Sequence, residues 1–193
     1  MKVETIVGEE VLEYIHAFVH MSDVCLSGWP FFIKKEAGKA EKMIESLRSV
    51  ASDLHAVVVK DGDTIIGGTY GHPIFPYGPV ANNIATLHDL SRVYWIAQTT
   101  ILPEYQGKGI SHMIYNARDP WVIASGKYDA IAHVLVIRGD RPASHVPYDV
   151  MWGKRGYRHL EGMDLKFKYA DALDNPKKPT EKTTQIWLKE LRK

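Results

Sequence analysis

Six consecutive residues, Gln106-Gly107-Lys108-Gly109-Ile110-Ser111, have the types and spacing to hold an anion. Two glycines bracket a lysine. Behind them Ile110, Met113, Ile114 and Ala117 recur at the i, i+3, i+4, i+7 spacing of a helix. A helix starting here leaves its first backbone N–H groups without intrahelical acceptors, and its dipole is positive at that end. Both effects favour a phosphate. Glycine lets a phosphate approach the backbone without meeting a Cβ, and Lys108 adds a mobile positive charge. A plain surface turn with the same letters is the alternative. Two other phosphate turns are absent. Gly109 follows Lys108 where G-x-x-x-x-G-K-[ST] needs Ser or Thr, and the third glycine of G-x-G-x-x-G falls on His112.

The turn needs a strand before it and a helix after it. The apolar run Tyr94 to Leu102 reads as a buried strand leading in. The helix leads out to about Arg118, where Asp119-Pro120 predicts an interruption, with Asp as cap and Pro in the first position of a new turn. Tyr128 to Ile137 is apolar nearly throughout and reads as a strand buried on both faces. His133 lies within it, either as a hydrogen-bonded core residue or as a catalyst. Pro147 to Lys154 reads as a short helix ended by Gly156.

These residues carry a resemblance. The apolar-x-Pro-x-x-Gln-Gly-x-Gly run from Ile101 to Gly109 resembles the acetyl-CoA signature of the GCN5-related N-acetyltransferases (GNAT), Gln/Arg-x-x-Gly-x-Gly/Ala, with Ser111 in the last position. Met151-Trp152-Gly153-Lys154-Arg155-Gly156-Tyr157 resembles the family's second signature, an apolar-Tyr-x-Lys-x-Gly-aromatic run, with Trp152 where the family has Tyr. The match covers Tyr94 to Tyr157. It implies an α/β fold: a mixed, bent sheet flanked by helices, with two parallel strands splayed apart around acetyl-CoA, in one N-acetyltransferase domain over residues 1–193. The resemblance puts the pantetheine arm on the backbone of Thr99, Thr100 and Ile101. It puts the pyrophosphate on the amides of Gln106, Gly107, Lys108, Gly109, Ile110 and Ser111.

The implied chemistry is direct attack of a neutral primary amine on the acetyl carbonyl, without an acyl-enzyme. Cys25 is the one cysteine, has no paired His in view, and is expected to carry no chemistry. The family's Glu on the central strand is replaced around Tyr94 and Trp95, so His72, Asp89 and His133 are the candidate bases. The family's Tyr commonly protonates the leaving thiolate, and an indole N–H at Trp152 is no acid near neutral pH. Tyr148, one helical turn earlier, is then the candidate acid, with packing against the sheet as the alternative. The acceptor is read as a small-molecule amine. A protein or peptide acceptor and a non-catalytic acetyl-CoA-binding module are the other hypotheses.

Composition sets the bounds. A chain of 193 residues with 45% hydrophobic and 24% charged residues can bury one sizeable core. A formal charge of +1 gives no electrostatic case for nucleic acid or an anionic membrane. One cysteine excludes an internal disulfide and a Cys-based zinc site. No signal pattern or membrane-length apolar run is visible, so the reading is cytoplasmic, with acetyl-CoA as co-substrate, no metal, and a homodimer left open.

The remaining chain supplies the frame. Val3 to Val7 reads as a strand. A helix follows from Gly8, with Val11, Leu12, Ile15, Phe18 and Val19 on one face. His16 and His20 lie four apart on it, but Ala17 stands where a metalloprotease has Glu. Trp29, Phe31 and Phe32 make an aromatic loop that either lines a pocket or staples the loop to the core. Gly38 to Val50 reads as a helix. His55 to Lys60 and Thr64 to Tyr70 form a hairpin around Asp61-Gly62-Asp63. Residues 72–91 read as a long irregular segment, either a substrate lid or a packed surface excursion. Leu165 to Tyr169 and Thr183 to Leu191 close the chain as strands.

Overall fold

The computed structural model describes residues 1–75, 78–139, 148–168, 171–174 and 177–191. The chain is mixed α/β and divides into two compact units. The first comprises Met1–Cys25, Lys35–Pro73 and Trp95–Lys127; the second comprises Leu26–Lys34, Ile74–Tyr94 and Tyr128–Lys193.

The first unit opens with β1 (Lys2–Val7), a 3-10 turn (Gly8–Tyr14), α1 (Ile15–Cys25) and α2 (Lys39–Leu47). β2 (His55–Asp61) and β3 (Thr64–Pro73) follow, then most of β4 (Val93–Ile101) and α4 (Ile110–Ala124). The strands lie in the order β1-β2-β3-β4. β1 pairs antiparallel with β2, and β2 with β3, with a register shift between Val59 and Lys60. Ala56 to Val59 are fully buried, which requires cover on both faces of β2.

Two adjacent glycines let that cover come close. Successive residues of a strand face opposite sides of the sheet. A Cβ on Gly67 would stand 3.1 Å from Ile110 of α4, and a Cβ on Gly68 would stand 3.0 Å from the Phe18 ring of α1 and 2.8 Å from the Val57 carbonyl. The helices therefore sit on opposite faces of β3, each over a missing side chain. Val59, Ile66, Ile110 and Ile114 form the buried cluster under α4.

In the second unit β5 (Ala130–Ile137) pairs antiparallel with β8 (Glu181–Glu190) from Ala130↔Glu190 to Ile137↔Thr183. β6 (Arg158–His159) and β7 (Leu165–Lys168) also pair with β8. α3 (Pro79–Ile84) and α5 (Tyr148–Gly153) belong to this unit. Arg138 pairs with the fully buried Asp171, and Lys182 pairs with Asp174 and lies 3.5 Å from Asp171. Arg138 Nε also donates to the Pro30 carbonyl (2.5 Å), and its guanidinium lies 5.0 Å from the Phe32 ring centre. The Ala172 N–H donates to the Phe32 carbonyl at 2.8 Å. The aromatic loop is thus stapled to its own unit.

Four sequence expectations change. The helix expected from Gly8 is a 3-10 turn until Tyr14 and α-helical only from Ile15. α2 stops at Leu47 and continues as a 3-10 turn over Arg48–Asp53, kinked at Val50. Residues 72–91 are not irregular throughout. β3 extends to Pro73, α3 buries Ala81 and Ile84, and a 3-10 turn runs over Leu90–Arg92; residues 76–77 lie outside the described residues. The break expected at Asp119-Pro120 is absent, and α4 runs through Pro120 to Ala124.

Proline there deletes the N–H that would bond the Asn116 carbonyl. Packing on both sides of the gap offsets the loss. The fully buried Arg118 bonds the Asp119 carboxylate through Nε and Nη2 (2.9 and 2.5 Å) and lies 4.7 Å from the Tyr115 ring centre. Trp121 stacks flat on buried His55, with ring centres 3.8 Å apart and planes within 2°. Burial, reinforced by the Arg118 charge, pushes the His55 pKa down to about 3.

Two predictions follow from this packing. Gly68→Ala puts a Cβ against the rigid Val57 carbonyl, and is expected to cost about 1–3 kcal/mol in urea unfolding; unchanged stability would contradict the close approach. The second concerns acid. Between about pH 6.5 and 3 the unfolded chain takes up a proton that folded His55 refuses, so stability falls as pH falls through that window. From pH 7 to 5 this removes about 2 kcal/mol. His55→Phe keeps a ring on Trp121 and is expected to lose about that much less stability than the parent over the same interval. Equal losses would show that His55 does not couple folding to pH.

Candidate cofactor site

The turn after β4 lies wholly within the first unit. Its base is the Ile101–Leu102 peptide, whose Leu102 N–H donates to the Ile66 carbonyl of β3 at 3.0 Å. A 3-10 turn over Pro103–Tyr105 follows, closed by Tyr105 N–H to the Leu102 carbonyl (2.9 Å) and Gln106 N–H to the Pro103 carbonyl (3.2 Å). Gly107 (φ 75°) and Gly109 (φ 78°) are both left-handed, a conformation that side-chain-bearing residues rarely adopt. A Cβ on either would meet no protein atom within 4 Å. The backbone conformation is thus what demands glycine, and the space beside it is open to a ligand.

α4 begins directly after Gly109, which caps it without a side-chain hydrogen bond. His112 and Met113 N–H groups reach the Gly109 carbonyl at 2.9 and 3.3 Å. By helix geometry the Ile110 and Ser111 amides have no intrahelical acceptor. No acidic residue stands in the first turn to neutralise them. Fifteen residues of helix dipole end here. Lys108 Nζ stands 4.9 Å from the Tyr105 ring centre, and Tyr105 Oη donates to Asp61 Oδ2 at 3.4 Å. The arrangement can hold a diphosphate by backbone amides, with Lys108 as a nearby cation.

The expected pantetheine strand divides by residue. Thr69 Oγ1 donates to the Gln98 carbonyl (2.7 Å) and is 2.8 Å from Thr99 Oγ1. The Thr100 carbonyl lies 3.3 Å from where a Gly67 Cβ would be. The Gln98 and Thr100 carbonyls therefore point towards β3, and alternation turns the Thr99 and Ile101 carbonyls to the opposite edge of β4. This corrects the expectation for Thr100. Its carbonyl is turned to the sheet, and its buried hydroxyl accepts from Gln98 Nε2 at 3.0 Å.

The catalytic candidates fare differently. His72 is buried, with Nδ1 2.7 Å from the Pro73 carbonyl. The proton therefore sits on Nδ1 and the lone pair on Nε2, and burial pushes the pKa below the usual histidine value despite the Pro73 carbonyl. Asp89 is occupied as a cap, accepting from the Ser91 hydroxyl (2.8 Å) and N–H (3.0 Å), which hold its carboxyl below the usual range. His133 is buried among rings, 3.9 Å from Trp152 and 5.3 Å from Tyr157 between ring centres. Tyr148 opens α5, but its side chain lies outside the described residues. Cys25 ends α1 and donates through Sγ to the Ile101 carbonyl at 3.3 Å. Burial pushes its pKa up to about 11, away from thiolate chemistry.

Sequence reading missed Gly67, on whose face the turn's two ends meet. Its Cβ would stand 3.3 Å from Ile101 and 3.1 Å from Ile110. The available signal was a glycine pair inside an otherwise β-forming run.

No protein-family model matches the chain, and no curated protein matches it. Solved structures match along its whole length. An N-acetyltransferase from Staphylococcus aureus Mu50 superposes with a TM-score of 0.65 at 12% identity, covering 100% of both chains. The ribosomal-protein-S18-alanine N-acetyltransferase from Escherichia coli gives 0.63 at 9% identity, covering 100% of this chain and 96% of that one. GphF, a GNAT-like decarboxylase in complex with isobutyryl-CoA, gives 0.59 at 17% identity over 100% of both chains. Identities this low speak for the backbone alone. The chain has the fold of the GCN5-related N-acetyltransferases.

Proposed function

We propose that the protein is an acetyl-CoA-dependent N-acetyltransferase acting on the primary amine of a small molecule. The observation that carries this reading is the start of α4, capped by no side chain and reached through two left-handed glycines at the end of a strand, in a chain with this fold. The amides of Gly107 to Ser111 would bind the pyrophosphate, the Gln106 N–H being held by the Pro103 carbonyl. The Thr99 backbone and the Ile101 N–H would face the pantetheine arm, the Ile101 carbonyl being held by Gln106 and Cys25. Acetyl-CoA supplies the acetyl thioester. The neutral amine forms a bond to the acetyl carbon, the carbon–sulfur bond breaks, the amine gives up a proton and the CoA sulfur gains one. Tyr148 is the proposed donor of that proton, because Trp152 cannot serve. Among the candidate bases, His72 combines a defined tautomer with neutrality near pH 7.

The direct test measures CoA release against a panel of small primary amines and short peptides. Turnover is expected with a small amine. Preference for peptides would move the acceptor class to proteins, and acetyl-CoA binding without any turnover would make the chain a binding module. Two variants probe the residues. Gly109→Asp suits the N-cap position, and Asp tolerates left-handed backbone better than most residues. It sets a carboxylate against the phosphate site, so acetyl-CoA affinity is expected to fall at least about tenfold, or about 1.4 kcal/mol. Equal affinity by calorimetric titration would remove the turn from the site. Tyr148→Phe is expected to keep acetyl-CoA affinity while kcat falls about tenfold or more. An unchanged kcat, with chemistry rate-limiting, would remove Tyr148 from the mechanism.

A further inference from the structure

Two side chains converge on one backbone oxygen at the foot of the turn. Gln106 Nε2 donates to the Ile101 carbonyl at 3.1 Å, and Cys25 Sγ donates to the same oxygen at 3.3 Å. A carbonyl oxygen has two lone pairs, so both are engaged. The Leu102 N–H of the same peptide points to Ile66 of β3. Across a trans peptide the Ile101 carbonyl points the other way. The peptide is therefore clamped from both edges of β4, by β3 through its N–H and by Gln106 and Cys25 through its carbonyl. It is the last peptide before the chain leaves the strand. Its orientation sets the direction of residues 103–109.

We propose that Gln106 and Cys25 are positioning residues for acetyl-CoA binding, clamping the Ile101–Leu102 peptide so that the amides from Gly107 to Ser111 stay aligned on the diphosphate. This rests on the reading of the turn as the acetyl-CoA site. Gln106 acts through its side-chain amide on the protein's own backbone. Cys25 acts as a hydrogen-bond donor, and its raised pKa keeps the donated proton in place at neutral pH. A second tie fits this role. Gln98 Nε2 donates to the Phe18 carbonyl of α1 at 2.8 Å. Phe18 to Cys25 spans about 10 Å of helix, and Gln98 to Ile101 spans about 10 Å of strand. α1 is thus pinned along β4 at two points in step, and its second pin is the clamp.

The test is a double-mutant cycle on acetyl-CoA affinity, measured by calorimetry on the full chain with Gln106→Met, Cys25→Ala and their combination. Each single change leaves one donor on the Ile101 carbonyl, and is expected to raise Kd about two- to fivefold. The combination removes both donors, and is expected to raise Kd by more than the product of the single effects. Gln106→Met with Cys25→Ser, which restores an O–H donor, is expected to fall back to the Gln106→Met value. Purely steric roles would give multiplying effects and no rescue by serine, and either result overturns the proposal. Should Cys25→Ala not fold, exposed Gln106→Met decides alone: an unchanged Kd overturns the clamp. Gly109→Asp separates the two levels. If it weakens binding while the clamp variants do not, the clamp is wrong and the site stands. If it leaves binding intact, the site reading fails and the clamp with it.

Discussion

The constraint on which the first unit depends is the close approach of two helices to one strand. β3 has no side chain at Gly67 or Gly68, and its two faces receive Ile110 and Phe18 at those points. Burying Ile110 and Ile114 contributes roughly 2–3 kcal/mol each. The geometric consequence is larger than the energetic one. Ile110 is the first residue of α4, so seating it against Gly67 fixes where the helix begins and where its free amides point. Any side chain at Gly67 would push against both ends of the turn at once, because Ile101 and Ile110 are both within 3.3 Å of its Cβ position.

Polar contacts then refine what packing has placed. Gln98 reaches the Phe18 carbonyl, and Cys25 and Gln106 reach the Ile101 carbonyl. Each adds a donor to a backbone carbonyl where α1 meets β4. These contacts link α1, β4 and the turn within one unit. What favours an anion at the turn is local. Oriented amides, the helix dipole and Lys108 favour an anion there, and this does not depend on the net charge of only +1.

The second unit manages charge differently. Asp171, Asp174 and Lys182, close together in sequence, join Arg138 from the end of β5 in one largely buried network. Burial alone would raise the Asp171 carboxyl, but the Leu173 N–H, Arg138 and Lys182 together hold it below the usual range. Such networks add little stability over apolar packing, yet lose much when one member is removed. Here the network has a positional effect, because Arg138 also holds the Pro30 carbonyl and the Phe32 ring. The loop that could have opened as an aromatic pocket is tied down instead.

Much of this was legible in the residues themselves. Periodicity and the glycine spacing placed β4, the turn and α4, because local backbone preference and amphipathic pattern act over only a few residues. Tertiary contacts decided the rest. Pro120 argues locally for a break, and the helix continues because His55, 65 residues away in sequence, stacks on Trp121 while Arg118 is sealed into the core. The 72–91 segment reads as loop from its prolines and asparagines, yet burial of Ala81 and Ile84 folds part of it into α3. Thr100 looked equivalent to Thr99 and Ile101, and only pairing with β3 revealed which backbone edge each presents. Cys25 showed no partner in sequence because its partner is a carbonyl, a group every residue carries. The sequence by itself determined where a glycine-bracketed turn leads from a strand into a helix. Only the folded chain, by bringing β3 and α1 against that stretch, decided how its amides are aimed.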